Sequence, residues 1–221
     1  MPAEGFSRLD AGMLNEISPW GVEVMVLEKT TSSNDEMLRM GESGAPNGSL
    51  LFAENQTAGR GQFRRPWATV PGLGLSFSLL LRLEINDVTI PSLSAFAAVS
   101  IAEIVKKLGI RECGIKAPND VLIGGRKVAG VLVETRHGKS PFAVVGVGLN
   151  VNHEKSDFPV ELQERSESLA MASGIFFDRT QIASLLLKSL WQYEQLMRST
   201  PEAVTDRFRE MLFPAGSLSP S

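Results

Sequence analysis

The stretch Gln56-Thr-Ala-Gly-Arg-Gly-Gln-Phe-Arg-Arg-Pro-Trp67 concentrates groups that attract anions. Between Glu54 and Glu84 there is no acidic residue, while Arg60, Arg64, Arg65 and Arg82 bring four positive charges. Glycines at 59 and 61 let the backbone approach a ligand, and guanidinium forks suit phosphate or carboxylate oxygens. Such a segment is either an anion site or a solvated surface loop, and composition alone leaves both open. A second candidate is Gly114-Ile-Lys-Ala-Pro-Asn-Asp-Val121. Pro118 holds Ala117 extended, so Lys116 is expected at a strand end, its ammonium directed by a rigid turn. That lysine either neutralises a carboxylate or phosphate under attack or is an ordinary exposed lysine, with Asn119 and Asp120 making a turn. Two further segments, residues 125–134 and 146–152, read as strands interrupted by Gly130, Gly146 and Gly148, which marks a close ligand or a bulge.

The elements that must position these groups follow from periodicity. Phe6, Leu9, Met13 and Ile17 predict a helix over residues 5–17, and Val22, Val24 and Val26 predict a strand ending at the small polar run 30–34. Ser33 and Glu36 have capping-box spacing, so a helix is expected to start there, with Met37 and Met40 as packing residues. Strands are expected at 49–55 and 74–83, the second with Leu75, Phe77, Leu79, Leu81 and Leu83 on one face. A strongly apolar helix at 92–108 stops at Gly109. Strands near 115, at 121–123, 127–135 and 141–151 form an antiparallel meander, with Gly124 and Gly125 in a hairpin turn. Helices at 178–197 and from Thr200 and Pro201 to 212 complete the chain. Together these predict an α+β domain, a mixed, largely antiparallel sheet packed with helices, over residues 1–213, with a disordered tail at 214–221.

With 221 residues, 43% apolar and 21% charged, the chain can bury a sizeable core as one domain. A net charge of −3 gives no reason to expect a duplex nucleic-acid binder. A lone cysteine, Cys113, forms neither an intramolecular disulfide nor a thiolate metal cage and reads as a core residue. His137 and His153 read as turn residues. The acidic N-terminus lacks a signal-peptide pattern and no apolar run approaches a membrane span, so a cytoplasmic protein without membrane contact is expected. No Gly-x-Ser-x-Gly elbow, Walker loop or His-Glu-x-x-His occurs.

In order and spacing, the four candidate segments and the Thr-Ser-Ser-Asn-Asp run at 31–35 resemble the biotin protein ligases over residues 22–152. The resemblance implies a catalytic domain of the class II aminoacyl-tRNA synthetase and biotin ligase type. It implies that biotin's carboxylate attacks the α-phosphate of ATP, with Mg²⁺, giving biotinyl-5'-AMP and pyrophosphate. A lysine of a carrier protein, such as a biotin carboxyl carrier protein, then attacks the mixed anhydride. By similarity Ser32, Ser33, Asn34 and Gln56 contact the ureido head, Gly59, Arg60, Gly61 and Gln62 close over it, and Gly130 lines the floor. Lys116 lies between carboxylate and α-phosphate, and with Arg60 it forms the catalytic pair. Arg60, Arg64 and Arg65 neutralise phosphate oxygens, with Trp67 and Asn150 near the adenine or its support. No protein Cys or His ligand to a metal is implied. Lys116→Ala is accordingly expected to depress adenylate formation by orders of magnitude.

Departures from the family pattern are Gln62 in place of the second arginine, Phe63 and Arg64 in place of an Arg/Gly pair, and Ala117 in place of tryptophan. The helix-turn-helix and C-terminal β-barrel of many relatives find no counterpart, so no DNA contact is expected and the carrier-docking step is the one most affected. A homodimer is compatible with the resemblance. Two alternatives remain open: a lipoate or octanoyl ligase or transferase of the same fold, and a non-catalytic biotin or nucleotide binder.

Overall fold

The computed structural model describes residues 8–83 and 89–213, the Arg64 side chain apart. The tail expected at 214–221, and residues 5–7 of the expected first helix, lie outside the described residues.

Among the described residues seven strands form one mixed sheet: β1 (Val24–Leu27), β2 (Leu50–Ala53), β3 (Gly74–Arg82), β4 (Cys113–Lys116), β5 (Asp120–Ile123), β6 (Arg126–Arg136) and β7 (Phe142–Asn150). Their order is β1-β2-β3-β7-β6-β5-β4, with β1 and β2 parallel and every other neighbouring pair antiparallel. The helices are α1 (Ala11–Ile17), α2 (Ser33–Glu42), α3 (Ile90–Lys107), α4 (Leu169–Ser173), α5 (Arg179–Ser199) and α6 (Pro201–Glu210). The expected α+β class and the β4-to-β7 meander are present.

Strict alternation along the central strands decides which face carries the main core. Leu75, Phe77, Leu79 and Leu81 of β3, and Ala143, Val145, Val147 and Leu149 of β7, pack with α3, α5 and α6. On the opposite face Leu80, Phe142 and Val144 meet Met37 and Leu38 of α2 in a second, smaller cluster. α2 covers only part of that face. Beyond it the outward positions are Ser76, Ser78, Gly146 and Gly148, small residues that leave a hollow on the sheet.

Several element ends differ from the periodicity. α1 begins at Ala11, where the Asp10 carboxylate accepts the Met13 N–H (3.0 Å). β1 starts at Val24, and α3 starts at Ile90 with Thr89 as its cap. α4 and the short 3₁₀ turns after β7 carry no period long enough to be read. The capping box is absent: Ser32 holds the N-cap position of α2, Ser33 is its first helical residue, and Glu36 pairs with Arg39 instead. The N-terminus of α5 is pinned to the sheet by a buried bidentate pair, Arg179 with Glu54 (2.8 and 3.1 Å), and Glu54 also accepts the Leu9 N–H (2.7 Å). The free edge of β4 is covered by residues 211–213, since Ile115 N–H donates to the Met211 carbonyl and Phe213 N–H to the Ile115 carbonyl.

Candidate functional site

The hollow above β6 and β7 is a cleft walled by α2, the Gly/Arg loop and the glycine-bearing stretches of β6 and β7. Its floor is glycine because nothing larger fits. A Cβ on Gly146 would overlap the Asn34 amide, and one on Gly148 would overlap the Trp67 indole. The two side chains therefore lie flat on bare backbone, Asn34 from the first turn of α2 and Trp67 from the end of the Gly/Arg loop.

At the α2 end the groups are neutral and fixed. Ser78 Oγ sits 2.6 Å from Asn34 Oδ1 and 2.9 Å from Ser33 Oγ, and the Asn34 amide donates to Glu134 (2.9 Å). Ser33 N–H donates to Gln56 Oε1 (2.8 Å), which fixes the Gln56 amide at the cleft wall. Among the described residues the Ser32 hydroxyl takes no partner although the residue is buried. A ring bearing uncharged N–H and C=O groups can pair with the Ser32 hydroxyl, which a purely apolar tail would leave unpartnered.

The Gly/Arg loop folds back over the cleft. Gly61 N–H donates to the Arg65 carbonyl (2.7 Å) and Trp67 N–H to the Gly59 carbonyl (2.9 Å), a turn that places Arg60, Gly61 and Gln62 on the cleft wall. Gly59 lies just behind, where a Cβ would be 2.7 Å from the Trp67 carbonyl. Phe63 takes φ 55°, a strained left-handed conformation for a large side chain, and is 89% exposed. The Arg60 guanidinium pairs with Asp35 and Glu134 (3.3 Å to the latter), so its charge is matched within the protein and it ties the loop to α2 and β6.

Lysine chemistry enters from an unexpected strand. Lys116 ends β4 with an exposed side chain and is not on the cleft wall, and Arg65 is likewise exposed. Lys127 lines the cleft: Nζ is 2.6 Å from Asp120 Oδ1 and 5.5 Å from the centre of the Trp67 ring. Regular alternation along β6 would put Lys127 on the core face with Ala129. A bulge prevents this, because Leu122 pairs with Lys127 while Val121 pairs with Ala129, leaving Val128 as the extra residue. Val128 and Ala129 are then both in the core, and Lys127 emerges beside Gly130, where a Cβ would stand 3.0 Å from Lys127 Nζ. Asn119 also reaches the cleft, held by its amide to the Val131 carbonyl (2.7 Å). Asn150 is buried beneath it and donates to the Glu167 carbonyl (2.9 Å), a supporting place.

Two buried titratable groups, Cys113 and His153, lie off the cleft wall. Burial pushes the Cys113 thiol up to about 12, so it stays protonated and inert. His153 is not a turn residue on the surface: it is buried, stacked on Phe158, and its Nδ1 has no partner among the described residues. Burial lowers its pKa to about 4, only partly offset by Asp157. The folded state thus refuses a proton that the unfolded chain accepts near pH 6.5. Stability is full above that pH and declines as pH falls toward 4, by roughly 3 kcal/mol in all. Urea unfolding at pH 7 and pH 4.5 measures the loss, and His153→Gln should remove this part of the slope; an unchanged slope would count against it.

Residues 26–152 match the biotin/lipoate A/B protein ligase family. The bifunctional ligase/repressor BirA of Bacillus spizizenii is 33% identical over 183 residues, which cover 82% of this chain and 56% of that protein. The biotin–acetyl-CoA-carboxylase ligase of Mycobacterium tuberculosis is 38% identical over 172 residues, 75% of this chain and 61% of that protein. Among solved structures, the Aquifex aeolicus biotin protein ligase in complex with biotin and ATP superimposes with a TM-score of 0.74 at 26% identity, covering 86% of this chain and 78% of that one. The fold is thus that of a protein ligase catalytic core. The chain belongs to the biotin/lipoate A/B protein ligase family, and it spans a little over half the length of the curated relatives it matches.

Proposed function

We propose that this chain is the catalytic core of an ATP-dependent biotin protein ligase. The observation that carries the reading is the pairing of two unlike halves in one cleft. Fixed neutral groups, Ser32, Asn34 and Gln56, lie at one end, and Lys127 beside Trp67 lies at the other. Biotin has that same division, a neutral ureido ring and a carboxylate tail. Relatives are named as biotin ligases, and one solved neighbour holds biotin and ATP.

In this reading Ser32, Ser33, Asn34 and Gln56 hold the ring, with Gly59, Gly61, Gln62 and Gly130 closing around it. A carboxylate oxygen attacks the α-phosphorus of ATP, the bond to the β-phosphate oxygen breaks, and pyrophosphate leaves with its electron pair. Lys127, rather than Lys116, neutralises the charge that builds between carboxylate and phosphate. Arg64 and Arg65 remain candidates for the outer phosphates, Trp67 for the adenine, and Asn150 for support. Arg60 holds the loop shut.

No group of three or more His, Cys, Asp or Glu side chains able to hold a metal occurs among the described residues. Mg²⁺ needs no such cage: it keeps several waters and takes one or two carboxylates plus substrate phosphates. Asp120 fits that part, with Oδ1 beside Lys127 and no hydrogen-bond donor aligned on it. When bound, the ion would screen phosphate charge.

In the second step a carrier-protein lysine attacks the mixed anhydride, loses its proton, and releases AMP. In this reading the acceptor is a biotin carboxyl carrier protein or similar domain and the compartment is the cytoplasm. No helix among the described residues is long and apolar enough to cross a membrane. Incubation with ATP, Mg²⁺ and biotin should release pyrophosphate only when biotin is present. Release with lipoate or octanoate instead would move the chain to the lipoate branch of the family, and binding without release would make it a binder.

A further inference from the structure

Residues 165–167 lie along the start of β6, on the side where β7 does not pair with it. The Lys127 N–H donates to the Arg165 carbonyl (2.7 Å) and the Glu167 N–H to the Lys127 carbonyl (2.8 Å), so Lys127 and Ser166 pair as a parallel bridge. The ladder between β6 and β7 begins only at Ala129 opposite Leu149. Beneath the bridge the buried Asn150 amide reaches both segments, the Glu167 carbonyl at 2.9 Å and the Lys127 carbonyl at 3.5 Å. The Glu167 carboxylate is 1% exposed, pairs with the Arg126 guanidinium, and accepts the Ser168 N–H (3.2 Å). A buried carboxylate is costly unless paired, and an apolar residue of that size would fill the space without the cost. The ion pair adds something an apolar residue would lack. It joins the two segments a second time, one residue to either side of the Lys127–Ser166 bridge.

We propose that Glu167 is a positioning residue for the activation step. Through Arg126 it clamps residues 165–167 onto β6, and the clamp keeps Lys127 turned into the cleft. The inference rests on the preceding reading for the identity of the step, and on geometry alone for the position of the lysine.

Two measurements on the full chain test it. In biotin-dependent ATP–pyrophosphate exchange, Glu167→Gln should lower kcat about tenfold with the KM values for ATP and biotin unchanged. Arg126→Gln should do the same. In a Lys127→Ala background Glu167→Gln should add no further loss, because the lysine it positions is gone. Losses that multiply would mean that Glu167 acts apart from Lys127 and would overturn the proposal. The second readout needs no turnover. With ¹³C-labelled lysine, the Lys127 ε-methylene signal, identified by its loss in Lys127→Ala, should be displaced by the Trp67 ring current. Glu167→Gln should move it to the position of exposed lysines. An unmoved signal overturns the inference whatever the activity. A moved signal in a chain with no exchange would overturn only the functional reading.

Discussion

Lys127→Ala should lower biotin-dependent adenylate formation by roughly 10²- to 10³-fold, the range found when one preorganised charge partner is taken from a transition state. Lys116→Ala should leave the rate close to the parent's. Both side chains are lysines next to motif glycines or turns, but they differ in what surrounds them. Lys127 Nζ lies between a carboxylate and an indole face on the wall of the cleft, where water is partly excluded and a charge acts strongly. Lys116 is exposed at the sheet edge that residues 211–213 cover, and its ammonium is screened by solvent. Removing Lys127 leaves Asp120 without its partner. That pair is partly solvated, with side chains 35% and 25% exposed, so the fold should tolerate the change. Initial rates of pyrophosphate release at saturating ATP decide the matter. A normal rate in Lys127→Ala with a collapse in Lys116→Ala would restore the role to the turn lysine.

The placement of the two lysines shows what local pattern can and cannot carry. The core face of β3 and β7 was legible because alternation is a short-range property, and seven or more residues repeat it. The stops at Gly109 and at the Gly124-Gly125 turn were legible for a similar reason: φ values of 85°, 55° and 80° suit glycine. Lys127 was hidden because one extra residue inverts every assignment upstream of it, and nothing in Gly-Arg-Lys-Val-Ala-Gly marks Val128 as the inserted position. The ion pairs of Arg60 were hidden for a different reason. Its partners Asp35 and Glu134 stand 25 and 74 residues away, so a loop that looks free of acid in sequence is supplied with carboxylates in space. The capping box failed by a single residue, since Ser32 and Ser33 both satisfy the helix-start pattern and only the backbone says which is outside. The grouping of Ser32, Asn34 and Gln56 at one cleft followed from the family motif. The glycine floor that lets Asn34 and Trp67 lie on the sheet explains why the motif needs Gly146 and Gly148.

Gln62→Arg should slow the escape of free biotinyl-AMP by roughly 10- to 100-fold. The estimate takes a charge-assisted hydrogen bond as about 1.5–3 kcal/mol and about 1.4 kcal/mol per tenfold. The reason lies in which charges the cleft has already committed. Arg60 is paired with Asp35 and Glu134, Lys127 is assigned to the junction of carboxylate and phosphate, and Arg65 is exposed and off the cleft wall. Gln62 is on the cleft wall, and its amide offers an acyl-phosphate only a neutral donor. Arg64 follows two residues later, beyond Phe63, whose positive φ turns the chain between them. An arginine at 62 would add a guanidinium with no carboxylate assigned to it, and so one free to hold the phosphate. With ATP and biotin but no acceptor protein, rapid separation of free from bound nucleotide should find more biotinyl-AMP in solution with the parent chain than with Gln62→Arg. Equal or faster release from the arginine variant would mean that the grip on the intermediate comes from elsewhere in the loop.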